Sequence, residues 1–238
     1  MFIWKMGAKR NMPDKRGKLI VFEGVDGSGK ATQAALLTKA LRARGLPVFP
    51  IDFPQYEKNF FGAFIGECLV GDHGDFVHID PHIGSVLYAA DRLESSNQIR
   101  KWLASGAMVI ADRYVTANQI HQGGKIENPK RRALFLRWLD QLEYEVFNIP
   151  RPNKVIYLDV PVEVSARLLR EKRAIGKKFY LKKGKKDLVE EDMHYLSRAR
   201  GAALSFVKKD SAWTRVECVR GGELRTPEDI HREILKHL

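Results

Sequence analysis

The stretch FEGVDGSGKATQ, residues 22–33, decides how the rest of the chain is read. Gly24, four intervening residues, Gly29 and Lys30 match the phosphate-binding pattern G-x-x-x-x-G-K. The next position ordinarily carries a Ser or Thr hydroxyl for a metal ion, but here it is Ala31, with Thr32 one residue late. The flanks supply the context that the pattern needs. LIVFE, residues 19–23, reads as a buried strand, and an amphipathic helix is expected over 30–44, stopped by Gly45. Between a strand end and a helix start, glycines let backbone N–H groups converge on phosphate oxygens beside the positive end of the helix dipole. The competing reading is a tight turn without a ligand. Ala31 does not exclude a metal, because Mg2+ retains several waters and one can stand where the hydroxyl would be. Asp26, inside the loop, would repel phosphate. It is therefore expected to serve another group, such as a hydroxyl of a second substrate, or to bond its own backbone as a turn residue.

Further strand candidates are PVFPID (47–52), AMVIAD (107–112), KVIYLD (154–159) and TRVECV (214–219). Helical patterns separate them at 61–70, 82–105 with Gly106 as the stop, 130–146, 161–173 and 189–209. Thr226, with Pro227 and two acids behind it, opens a last helix. The alternation predicts an α/β fold, a five-stranded parallel sheet with helices on both faces. One domain over residues 18–238 is the simplest reading.

The 238 residues are 44% hydrophobic and 29% charged, a globular composition, and no apolar run approaches the roughly 18 residues of a membrane span. The N-terminus has no apolar core of a secretory signal, and two cysteines, Cys68 and Cys218, suit a reducing compartment; a cytoplasmic location is expected. The net charge of +12 is localised. Residues 1–18 hold six basic side chains against one acidic, residues 171–186 hold eight against one, and the two segments account for the whole excess. A neutral body argues against a general nucleic-acid-binding face, and a short basic flap points to a local polyanion such as a triphosphate. A basic nucleic-acid-binding protein nevertheless stays the rival reading from another class.

Asp112 ends an apolar strand, where a parallel sheet presents side chains to its carboxyl-end crevice. It could hold Mg2+ or its waters, and Arg113 beside it could bridge transferring phosphates. A structural pair capping the next helix explains both equally well. Tyr88 and Arg92, four apart on the long helix, could stack on a base and bond its edge, or form an ordinary amphipathic pair.

Five blocks carry a resemblance. FEGVDGSGKATQ, FPQY (53–56), LYAADR (87–92), DRYVTANQIHQGG (112–124) and RPNKVIYLDVP (151–161) stand in the order and spacing of thymidylate kinases, and EEDMHYLSRAR (190–200) looks similar too. The resemblance covers residues 18–238 and implies a P-loop NTPase fold with a basic lid at about 171–188. It implies transfer of the γ-phosphoryl group of ATP to dTMP, with Mg2+ as cofactor. ATP would meet Gly24, Val25, Asp26, Gly27, Ser28, Gly29, Lys30, Ala31 and Thr32, with Lys30, Asp112 and Arg113 catalytic and Asp112 supporting the metal, directly or through water. Asp26, Phe53, Tyr56, Tyr88, Arg92, Arg113, Asn118, His121 and Gln122 would line the dTMP site. Gly27 stands where some members place an arginine, so the lid is expected to supply cations, from Arg167, Arg170, Lys172 or Arg173. His121 stands where many members have Tyr or Phe near the sugar. The family also implies a homodimer with a contact near Tyr88. The nearest rival is a P-loop kinase for another nucleoside monophosphate or a deoxynucleoside. The basic N-terminal tail, residues 1–17, has no assigned counterpart and is expected to be disordered.

Overall fold

A computed structural model describes residues 16–76, 78–174 and 193–238. Strands β1 (Lys18–Glu23), β2 (Val48–Asp52), β3 (Met108–Asp112), β4 (Lys154–Asp159) and β5 (Trp213–Glu217) form one sheet in the order β2-β3-β1-β4-β5. Its four pairings are all parallel. Helices α1 (Lys30–Ala43), α2 (Phe60–Leu69), α3 (Pro81–Ala104), α4 (Val115–Gly124), α5 (Pro129–Asp140), α6 (Val162–Ala174), α7 (Met193–Lys209) and α8 (Pro227–Leu235) connect and cover it.

Alternation along β1 builds the two halves of the core. Ile20 and Phe22 pack with Leu37 and Leu41 of α1 and with Ile230 and Ile234 of α8. Leu19 and Val21 pack on the other face with Ile99 of α3, Ile120 of α4 and Ala199 of α7. A central strand covered on both faces must be apolar throughout, and β1 is, apart from its first and last residues. The strand order reverses about β1, so β1 and β3 open a crevice at their carboxyl ends.

The helix stops are those expected. Gly45 (φ 79°) and Gly106 (φ 84°) adopt the left-handed conformation, and the following residues, Leu46 and Ala107, bond back to Leu41 O (3.2 Å) and Trp102 O (3.1 Å). Three boundaries differ. The helix expected over 130–146 is α-helical only to Asp140 and becomes a π-helical turn over Gln141–Val146. The last strand ends at Glu217, and its continuation forms a small hairpin of β6 (Val219–Arg220) and β7 (Glu223–Leu224). Pro161 immediately precedes α6 rather than opening it. Helix α4 is an element the sequence patterns did not single out. Among the described residues no helix is long and apolar enough to cross a membrane.

Strand β2 is an edge of the sheet and carries Pro50. Phe53 N–H donates to Asp112 O (3.0 Å) just beyond it, so alternate residues Ile51 and Phe49 also aim their N–H groups at β3. The nitrogen of Pro50, which has no hydrogen, therefore faces the open side.

Candidate active site

The loop 24–29 leaves β1 by a turn that only glycine fits. Gly24 has φ 153°, and a Cβ there would lie 2.5 Å from Ser28 Oγ and 2.8 Å from Leu158 O. Gly29 (φ 91°) then starts α1, whose first residue is Lys30. The Lys30 ammonium folds back over the loop and donates to Gly24 O (3.0 Å) and Val25 O (3.2 Å), with Asp26 Oδ1 at 3.5 Å. Burial and the nearby Arg113 lower its pKa, against the pull of Asp26, Asp112 and Glu23. Ser165 of α6 donates its hydroxyl to Asp26 O and pins the loop from the far side. Ala31 and Thr32 are both exposed on the first turn of α1.

Asp26 finds its partner 87 residues away. Arg113 Nη2 donates to Asp26 Oδ1 at 2.6 Å, and Arg113 Nη1 lies 2.6 Å from His121 Nε2. Arg113 is held in the left-handed region (φ 65°), uncommon for a residue with a side chain. Burial opposes its charge, but Asp26, Glu23 and Asp112 outweigh burial and hold the guanidinium firmly protonated. Because an arginine only donates, His121 Nε2 must accept, and the ring proton lies on Nδ1. Burial and Arg113 push the His121 pKa well below its ordinary value, so the ring is neutral. Tyr195 of α7 stacks on it, centroids 5.9 Å apart.

Glu23 was missed in the sequence, although an acid closing an apolar strand was the signal. It is fully buried, and its Oε1 accepts from Tyr114 N (3.1 Å) and Thr116 Oγ1 (2.6 Å), fixing the residues that follow Arg113. Burial raises its pKa against the lowering influence of Arg113. Asp112 is half-buried beside this group, and its carboxylate makes no hydrogen bond among the described residues. Burial raises its pKa too, with Lys30 and Arg113 pulling it down.

A second set lies between α3 and α4. Arg92 (2% exposed) donates from Nε and Nη2 to both oxygens of Glu143 (0% exposed), at 2.8 and 2.5 Å. Asn118 Nδ2 donates to the same carboxylate (3.1 Å) and to Ser85 O (3.2 Å). Gln122, one turn along α4, lies against Gly84, where a Cβ would come within 3.2 Å of its Oε1. Tyr88 turns the other way, towards α2: it and Tyr56 pack against Ile65, Cys68, Leu69 and Phe76. Tyr88 and Phe76 have ring centroids 6.0 Å apart. Phe53 is buried against Tyr114 (5.8 Å). Asp91, also fully buried, accepts from Gln55 N (3.1 Å) and Asn59 Nδ2 (2.8 Å) and ties the FPQY turn to α3.

Of the expected lid cations, Arg167 is exposed on α6. The side chains of Arg170, Lys172 and Arg173, and residues 175–192, lie outside the described residues. Nearby, Asp159 at the end of β4 is held by Arg200 Nε (2.7 Å) and Arg215 Nε (2.7 Å), a pairing no local pattern foretold.

A phosphate loop joined through Arg113 to the end of β3 and to His121 of α4, with a buried polar cluster between α3 and α4, thus makes up the candidate site. The family model of thymidylate kinase matches residues 22–224. The chain belongs to the thymidylate kinase family. The kinase is 33% identical to the thymidylate kinase of Nitrosomonas eutropha over 202 residues, 85% of each chain. It is 31% identical to that of Mycobacterium tuberculosis over 153 residues, 64% of this chain and 70% of the other. Its fold is similar to the solved thymidylate kinase of Candida albicans, with a TM-score of 0.67 at 23% identity over 93% of this chain and 90% of that one. The kinase is accordingly a P-loop nucleoside monophosphate kinase that phosphorylates dTMP.

Proposed function

We propose that the chain transfers the γ-phosphoryl group of ATP to dTMP in the crevice between β1 and β3, with ATP on the loop 24–32 and dTMP between α3 and α4. The observation that carries this reading is Arg113, whose two terminal nitrogens reach Asp26 of the donor loop and His121 on the acceptor side. One cation thereby stands between the two substrates.

A phosphate monoester is already ionised at neutral pH, so the acceptor needs little help from a base, and catalysis rests on positioning and charge stabilisation. Lys30 exchanges its bonds to the loop carbonyls for phosphate oxygens. Arg113 neutralises charge on the group in flight, helped by lid cations among Arg167, Arg170, Lys172 and Arg173. Arg92, Asn118 and Gln122 take the base edge, Tyr88 stacks on the base from the α2 side, Phe53 and Tyr56 shape the pocket wall and the phosphate end, and His121 faces the sugar. The donor set fits Mg2+: Asp112, a carboxylate without hydrogen bonds among the described residues, suffices beside substrate phosphates, since this ion is commonly held by one or two carboxylates together with phosphate oxygens and water. Bound there, directly or through water in place of the missing Ala31 hydroxyl, the ion would supply charge neutralisation at the phosphates. An apolar stripe on α3, Ile83, Val86 and Leu93, lies exposed and supports a homodimer.

A coupled ADP-release assay over dTMP, dUMP, dCMP, AMP and thymidine tests the reading, with dTMP expected to be preferred. Lys30→Ala and Arg113→Ala should each lower kcat by roughly 10²–10³-fold while the circular dichroism spectrum is kept. Near-normal turnover in both variants would sink it.

A further inference from the structure

We propose that Glu143 is a positioning residue for base selection: it fixes which atoms of Arg92 and Asn118 face the pocket, so that the pocket accepts a 4-keto pyrimidine and rejects a 4-amino one. This rests on the reading above that Arg92 and Asn118 meet the base.

Glu143 takes Nε and Nη2 of Arg92, and among the described residues only Nη1 keeps no partner. Whatever that nitrogen presents is a donor, since a guanidinium has no acceptor. Asn118 is flanked by two acceptors, the Glu143 carboxylate and the Ser85 carbonyl, so its NH2 must face them. Its carbonyl oxygen Oδ1, which has no partner among the described residues, is left to face the ligand. The pocket therefore offers one donor and one acceptor. Thymine presents the complement, an acceptor at O4 and a donor at N3–H; cytosine reverses both, with a donor at N4 and an acceptor at N3.

The carboxylate that sets this pattern comes from outside the two facing helices. Glu143 sits on the π-helical turn Gln141–Val146, where it is wholly buried while Glu145 and Val146 are exposed. Single π turns recur at functional sites. A buried charge removed from one partner leaves the other unpaired, so Glu143→Ala would confound selection with folding. Glu143→Gln keeps the shape, but its NH2 must oppose either Arg92 Nε or the paired donors Arg92 Nη2 and Asn118 Nδ2, so the guanidinium is no longer held by two acceptors.

The test compares dTMP with 5-methyl-dCMP, which keeps the methyl group and reverses the 4-position and N3. A site built around such hydrogen bonds rejects the mismatched analogue by about 10⁴-fold in kcat/KM. In Glu143→Gln the dTMP preference should fall by roughly tenfold or more, with the KM for ATP unchanged. An unchanged preference in Glu143→Gln beside a reduced one in Asn118→Ala would overturn the role of Glu143 and keep the base pocket. An unchanged preference in Asn118→Ala would overturn the pocket reading and this proposal together. Should Glu143→Gln not fold, the wild-type protein carries the test. Its Asn118 NH2 protons should be protected from solvent exchange, both free and with dTMP bound; exchange at the rate of surface amides would overturn the proposal.

Discussion

Burial pushes the Asp112 carboxylate above its ordinary range, and the pull of Lys30 and Arg113 does not fully offset that push. The native state therefore binds a proton at Asp112 more tightly than the unfolded chain does. Its destabilising effect is absent below the unfolded value of about 3.9, grows as pH rises, and is complete above the native value. Asp112→Asn should raise the melting temperature at pH 7–8. The gain should vanish near pH 4, while kcat falls at every pH. A variant that melts lower at pH 8 than the parent would contradict this account. At this scale the sequence was partly legible. An acid inside a phosphate loop announces that it needs a partner, but nothing local says that the partner is Arg113, because the contact exists only once β1 and β3 pair. Glu143 was invisible for the same reason, one of two similar glutamates in QLEYEV.

The helices α2 and α3 pack together through a glycine. A Cβ on Gly62 of α2 would collide with Gln55 O and stand 3.0 Å from Asp91 Oδ1, and backbone cannot give way as a flexible side chain would. Gly62→Ala should cost roughly 1–3 kcal/mol and raise the KM for dTMP by loosening the FPQY turn. Gly201 is the contrasting case, exposed on α7 with open space where a methyl group would stand. Gly201→Ala should stabilise by roughly 0.5–1 kcal/mol through helix propensity alone. Urea midpoints measure both, and equal signs would refute the packing argument. The strands and long helices were legible because their periodicity is strong and glycines stop them. Helix α4 was not: in VTANQIHQGG, β-branched residues open it and two glycines close it, which is poor helix chemistry that tertiary contact with α3 and α7 overrides. The π-helical turn has no pattern of its own.

Across the whole molecule, alternation of strand and helix predicted the parallel sheet, but the order β2-β3-β1-β4-β5 follows from which faces bury, not from any local signal. The charge is as uneven as the fold is regular: the excess lies in residues 1–18 and 171–186. Of the expected tail, residues 1–17, the first fifteen lie outside the described residues, while Gly17 belongs to the domain; we propose that the domain works without those fifteen. A chain lacking residues 1–15 should keep kcat and both KM values within about twofold of the full chain. A cut past Gly17 should destabilise it, because Gly17 N–H donates to Leu103 O (2.8 Å) and the residue sits tight against Ala107. Loss of activity on the shorter cut would show that the tail belongs to the enzyme. Pro50 also matters beyond its own strand. An exposed sheet edge is a template on which another chain can add a strand, and from there copies can polymerise. Pro50 removes a donor from the middle of that template, so that margin of the sheet is a poor seed for aggregation even when the protein is crowded.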